Sequence, residues 1–182
     1  MFYLDTQTNT RYRIGSAFTY GDTQYSPKAA NHATFMALGF TQVIVGARPD
    51  SRFYVVTGPD NTGAYTSTPR DLATLKTQFK KEQKRIAHQI LRQTDWYVVR
   101  LSELGVSGGA IPADVTTFRA AYRTAAGTRC DEIDATTTVQ GLETLIKAPA
   151  LIYDEYGNSS VNPAALTQFP DSLAETYNFG SY

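Results

Sequence analysis

PRDLATLKTQFKKEQKRIAHQILRQ, residues 69–93, is the stretch whose reading decides the fold. Leu72, Leu75, Phe79, Ile86, Ile90 and Leu91 recur along it at helical spacing, and Pro69 stands just outside the start. The spacing predicts a helix over 70–92, about 35 Å long at the usual rise per residue. Its other face carries Arg70, Lys76, Lys80, Lys81, Lys84, Arg85 and Arg92 against Asp71 and Glu82, a local charge of +5 from seven minus two. Residues 129–182 hold eight acids against Arg129 and Lys147, a local charge of −6, so a formal net charge of zero hides a basic middle and an acidic end. The two are expected to offset each other within one fold or between subunits, and an acidic protein partner for the basic helix is the alternative. A basic run without interleaved aromatics or a nucleic-acid motif gives no reason to expect nucleic acid as a partner.

Downstream of the helix, LRQTDWYVVR (91–100) places the only tryptophan beside an aspartate, and LGVSGGAIPA (104–113) follows with three glycines and a proline. Helical spacing then returns over 112–134, with Val115, Phe118, Tyr122 and Ile133 on one face and Pro112 suited to the first turn. An antiparallel helical hairpin turning near Ser107 is the expected result. That register sets Asp95 beside Arg119 and Trp96 opposite Phe118, while Arg119 and Arg123 lie four apart on one helix. Trp96 is expected to wedge between Phe118 and Tyr122 as a core residue. Asp95 is expected to pair with an arginine or to cap a restarted helix, and an exposed Trp96 anchoring a partner is the alternative.

Upstream, residues 1–68 read as β-rich. MFYLD and RYRIG flank the polar TQTNT and suggest a hairpin, and NHATFMALGF reads as a short helix closed by Gly39. FTQVIV and RFYVVT form a second pair of strand-like runs, and GPDNTG is a hairpin loop leading into AYTST. TTTVQGLETLIKA adds a shorter helix, and 149–182 reads as irregular, with NPAALTQF and DSLAETY as single turns. The fold class is therefore α+β: a β-rich region with a short helix (1–68), a long helical hairpin (69–148) and an irregular C-terminal segment (149–182).

Several chemistries find no support in the residues. Cys130 is the only cysteine and His32 and His88 the only histidines, so neither a disulfide framework nor a multi-cysteine or histidine-rich metal site is expected. Asp154-Glu155 is the only adjacent acidic pair flanked by aromatics, and neighbouring strand residues point to opposite faces, which suits paired-carboxylate catalysis poorly. No P-loop, dinucleotide fingerprint or nucleophile elbow occurs. No cofactor and no enzyme activity are expected. With no leader-like start and no long apolar run, a cytoplasmic protein is expected, without a membrane partner.

Thr94-Asp95-Trp96 followed by Arg100, the Ile111-Pro112-Ala113 turn and Tyr122-Arg123 resemble the C-terminal region of tail fibre assembly proteins of tailed bacteriophages. In that family a Lys/Arg-containing helix precedes the TDW element, and a proline turn and an aromatic-Arg pair follow. PDSRFYVVT, a proline-led strand before the long helix, fits the same layout. The resemblance covers residues 45–140. It departs from the family in the longer, Gly-rich linker after Arg100 and in the chain that continues to Tyr182. It implies a chaperone-like protein of the infected bacterial cytoplasm whose partner is a tail fibre or another tail protein. The aromatic, Asn- and Ser-rich end raises the alternative of a resident virion tail component, with a homo-oligomer as the setting for the opposed charges. Asp95, Trp96, Arg100, Pro112, Phe118, Arg119, Tyr122 and Arg123 are the residues expected to form the hairpin core or the partner contact.

Overall fold

The computed structural model describes residues 1–104 and 110–171. The chain is α+β and divides into two compact units, Met1–Pro69 and Arg70–Tyr182. The first is built from small antiparallel sheets, the second on a helical hairpin.

In the first unit, β1 (Phe2–Asp5) pairs on one side with β2 (Thr10–Tyr12) and on the other with β5 (Thr41–Val43), both antiparallel. The Asp5 carboxylate closes the β1–β2 turn by accepting from the backbone N–H of Gln7 at 2.9 Å and from the Thr8 hydroxyl at 2.5 Å. Those hydrogen bonds, the Thr8 hydroxyl first, hold its carboxyl below the usual carboxylate range. A second hairpin, β3 (Phe18–Tyr20) with β4 (Thr23–Tyr25), turns through Gly21 at φ +56°, and the sequence reading passed over it. Asn31 caps α1 (His32–Ala37) by accepting from the Thr34 N–H, and Gly39 leaves the helix at φ +79°, as NHATFMALGF predicts.

These elements enclose an aromatic core. Tyr3, Phe35 and Phe40 are buried; Phe35 lies 4.6 Å from the Tyr3 ring and 5.1 Å from Phe18, and Tyr12 stacks on Phe40 at 4.9 Å. The Tyr3 hydroxyl meets His32 Nδ1 at 2.6 Å, so the polar tip of a fully buried ring is satisfied.

FTQVIV and RFYVVT are not each other's partners. The first supplies β5 and joins β1, whereas β6 (Tyr54–Thr57) pairs with β7 (Thr66–Pro69) across the GPDNTG loop. Asp60 organises that loop, accepting from the N–H groups of Thr62 and Ala64 at 2.8 and 3.0 Å. Gly63, at φ +85°, sits so close to the chain at Ile44 that an added Cβ would lie 2.4 Å from the Ile44 carbonyl oxygen.

The second unit begins with α2 (Leu72–Arg92), capped by the Asp71 carboxylate on the Thr74 N–H at 2.7 Å. α3 (Asp95–Leu104) follows after a break, then α4 (Ala113–Ala135), preceded by Pro112, and α5 (Val139–Lys147), capped by the Thr138 hydroxyl on the Gly141 N–H. α2 packs on α4, and α4 buries Val115, Phe118, Tyr122 and Ile133, the face that its spacing predicts. Fully buried Leu75, Ile133 and Leu142 add apolar contributions from α2, α4 and α5.

The segment after α5 carries more order than an irregular tail. Leu151–Tyr153 (β8) and Ser159–Val161 (β9) pair as an antiparallel hairpin whose residues are all exposed. Asp154 makes its turn: the carboxylate accepts from the Tyr156 and Asn158 N–H groups and from the Asn158 side chain at 2.9, 2.8 and 2.9 Å. Composition hid this hairpin because its strands are only three residues long. NPAALTQF contains a turn in which the Ala165 N–H donates to the Asn162 carbonyl, whereas DSLAETY beyond Asp171 lies outside the described residues. Among the described residues, no helix is long and apolar enough to cross a membrane.

Candidate functional site

The break between α2 and α3 is built around one guanidinium. The last turn of α2 tightens, with the N–H groups of Gln93 and Thr94 donating to the carbonyls of Ile90 and Leu91 at 3.1 Å each. The Leu91 carbonyl also accepts from the Thr94 hydroxyl at 2.9 Å and from Arg119 Nη1 at 2.9 Å. Arg119 Nη1 donates as well to Thr94 Oγ1 at 2.6 Å, and Nη2 donates to Asp95 Oδ1 at 2.9 Å. One planar fork from α4 thus holds the end of one helix and the first residue of the next.

The placement suits both helix dipoles. A cation lies at the C-terminal end of α2 and a carboxylate in the first turn of α3, each on the favourable side. The Asp95 side chain is 47% exposed, so its ion pair alone contributes no more than about 1 kcal/mol. Arg119 is only 8% exposed, and its hydrogen bonds to Leu91 and Thr94 carry more of the joint, on the order of 1.5–3 kcal/mol for bonds to a charged group.

The expected meeting of Asp95 and Arg119 is present, and Asp95 opens a restarted helix as well. Trp96 is a correction. It does not wedge between Phe118 and Tyr122 but is 41% exposed, stacked on its neighbour Tyr97 at 3.7 Å. The physical reason is the break at Gln93–Thr94: Arg119 fixes the direction of α3 by polar contacts, and the indole turns out. Phe118 and Tyr122 instead pack with Ala87, Ala126, Ile90 and Leu91, and the Phe169 ring stacks on Tyr122 at 5.0 Å. α3 therefore presents Trp96, Val98 and Val99 to solvent, with Arg100 exposed beside them. Pro112 lies at the start of α4, while Arg123, one turn beyond Arg119, is exposed.

A second polar joint holds the C-terminal segment on the hairpin. Arg129 donates to Gln83 Oε1 and to the Thr167 carbonyl, both at 2.8 Å, and its guanidinium lies 4.4 Å from the Phe169 ring centre. Glu132 receives the Thr167 N–H at 2.9 Å and the Thr167 hydroxyl. Burial is the main influence on both groups at this joint, pushing the Tyr122 hydroxyl up and the Arg129 guanidinium down. Sequence reasoning missed Gln83, Arg129, Glu132 and Phe169. A signal existed for Arg129: it falls on the line Tyr122, Ala126, Arg129, Ile133, the buried stripe of α4.

Part of the charge asymmetry is resolved within the chain. Lys80 pairs with Asp134 at 2.7 Å, and Lys76 donates to the Asp134 carbonyl at 2.9 Å. Among the described residues, no group of three or more His, Cys, Asp or Glu side chains is arranged to hold a metal ion. No protein-family model matches the chain, no curated protein matches it, and no solved structure matches its fold.

Proposed function

We propose that this is a non-enzymatic bacteriophage tail protein that binds the tail fibre and assists its assembly or attachment. The observation that carries the reading is the presentation of α3: Arg119 holds a helix whose Trp96, Val98 and Val99 face water on a rigid joint. An exposed tryptophan with an exposed arginine one turn further on, Arg100, is the composition of a binding hot spot, and a fixed helix meets a partner at little ordering cost. The order of the TDW, IPA and YR elements supplies the tail-fibre part of the reading. The physical task would be to cover apolar and β-edge surfaces of the fibre until their final partners arrive.

A second reading, a resident structural component of the virion tail, is favoured by the β8–β9 hairpin. It exposes Ile152, Tyr153, Tyr156 and Val161, and its outer edges suit permanent pairing with a neighbour.

Quantitative mass spectrometry of gradient-purified particles against infected-cell lysate separates the two. Abundance in the lysate with absence from particles is the expected outcome, accompanied by fibreless particles when the gene is deleted. A fixed copy number matching a tail symmetry establishes the resident role instead, and normal fibre attachment in the deletion sinks the assembly role.

A further inference from the structure

The α2–α4 hairpin carries an open groove of about 460 Å³ that the α3 reading does not use. Ala87, Leu91 and Ala126 line it with apolar surface, and Lys84, His88 and Arg123 add three basic side chains. Lys84 and His88 are one turn apart on α2, and Arg123 faces them from α4. None of the three has an ion pair or side-chain hydrogen bond among the described residues, whereas Lys80, one turn earlier on the same helix, is neutralised by the Asp134 carboxylate. The neutralisation seen at one end of the hairpin is missing at the groove. Asp131 is the groove's one carboxylate.

We propose that this groove is a docking site for an acidic peptide segment of a partner protein, carboxylates facing Lys84, His88 and Arg123 and an apolar side chain on Ala87, Leu91 and Ala126. Charge complementarity selects the acidic occupant, because unpaired basic groups on a partly apolar wall gain most from carboxylates brought out of bulk water. Nucleic acid fits less well, because no Phe, Tyr or Trp lines the groove for a base to stack on. The inference stands on the hairpin alone and holds whether or not the partner is a tail fibre.

The only cysteine is a built-in reporter, since Cys130 lines the groove and is half-buried. The probe is a fluorescent synthetic peptide with glutamates on both sides of a Leu-Phe pair, measured by anisotropy on the full chain and compared with its glutamine counterpart. The expected result is saturable binding of the glutamate peptide, slower alkylation of Cys130 by iodoacetamide in its presence, and at least about tenfold weaker binding by Lys84→Glu/Arg123→Glu. Gly127→Leu provides a variant that keeps the charges. Gly127 is helical with nothing within 4 Å of an added Cβ, so the leucine obstructs the groove without disturbing the helix, and binding should fall by a similar factor. Equal binding of the glutamine peptide, preference for a single-stranded oligonucleotide, or Cys130 protection by self-association without peptide would each overturn the proposal.

Discussion

The two units are held together by different chemistry. In Met1–Pro69 the core is a stack of rings, with Phe35 touching Tyr3 and Phe18, and Tyr12 lying against Phe40. The α2–α4 hairpin, by contrast, packs Phe118 and Tyr122 of α4 against Ala87 and its neighbours on α2, and adds buried polar side chains, Gln83 on α2 and Arg119 on α4. A ring stack gains from area and tolerates sliding, whereas a buried guanidinium is satisfied at one position only. The first unit is therefore stabilised by volume, and the second is aimed by hydrogen bonds.

Substitutions can break that contrast, beginning with the largest effect. Phe35→Ala should cost about 3–5 kcal/mol and abolish the near-ultraviolet dichroism of the aromatic core, because no part of Phe35 is exposed. The helical far-ultraviolet signal should persist; if it falls in step, the units unfold as one and the contrast fails. Arg119→Met should cost about 2–4 kcal/mol in denaturant unfolding, since it strips the guanidinium from Leu91, Thr94 and Asp95. Arg119→Lys should recover only part, and full recovery would show that charge alone suffices. Phe169→Ala should cost about 1–3 kcal/mol and speed hydrogen exchange at Thr167, whose contacts to Arg129 and Glu132 share that joint.

Trp96→Ala should cost under about 1 kcal/mol while weakening partner capture, because the side chain is not in the core. A cost of about 3 kcal/mol would return Trp96 to the interior. The smallest effect is acidic. Asp5 has its folded pKa below the unfolded value, so its stabilising contribution is complete above about pH 4 and is lost as pH falls through the folded pKa. Asp5→Asn should flatten that part of the acid unfolding curve.

Local rules carried much of the fold. The apolar spacing of α2, the cap and Gly39 exit of α1, and the buried line Val115, Phe118, Tyr122, Ile133 all depend on neighbours within a turn or two. The Asp95–Arg119 contact was legible because a hairpin maps the two arms onto each other. The rest depended on distant choices. β5 joins β1 rather than RFYVVT, and Phe169 reaches Tyr122 across 47 positions of chain (169 minus 122). Trp96 was misread because a large apolar ring was assumed to set the register, when Thr94 and Arg119 set it by hydrogen bonding. The β3–β4 hairpin was overlooked although Gly21-Asp22 lies between its aromatic strands, a turn signal present in the sequence.

The Arg119 fork has a mechanical consequence. Two nitrogens of one rigid plane grip three acceptors on both sides of the helix break, so they set the angle of α3 as well as its distance from α4. An axial roll of α4 would carry the fork with it and swing Trp96 through an arc. The joint therefore couples the axial orientation of α4 to the position of the exposed Trp96.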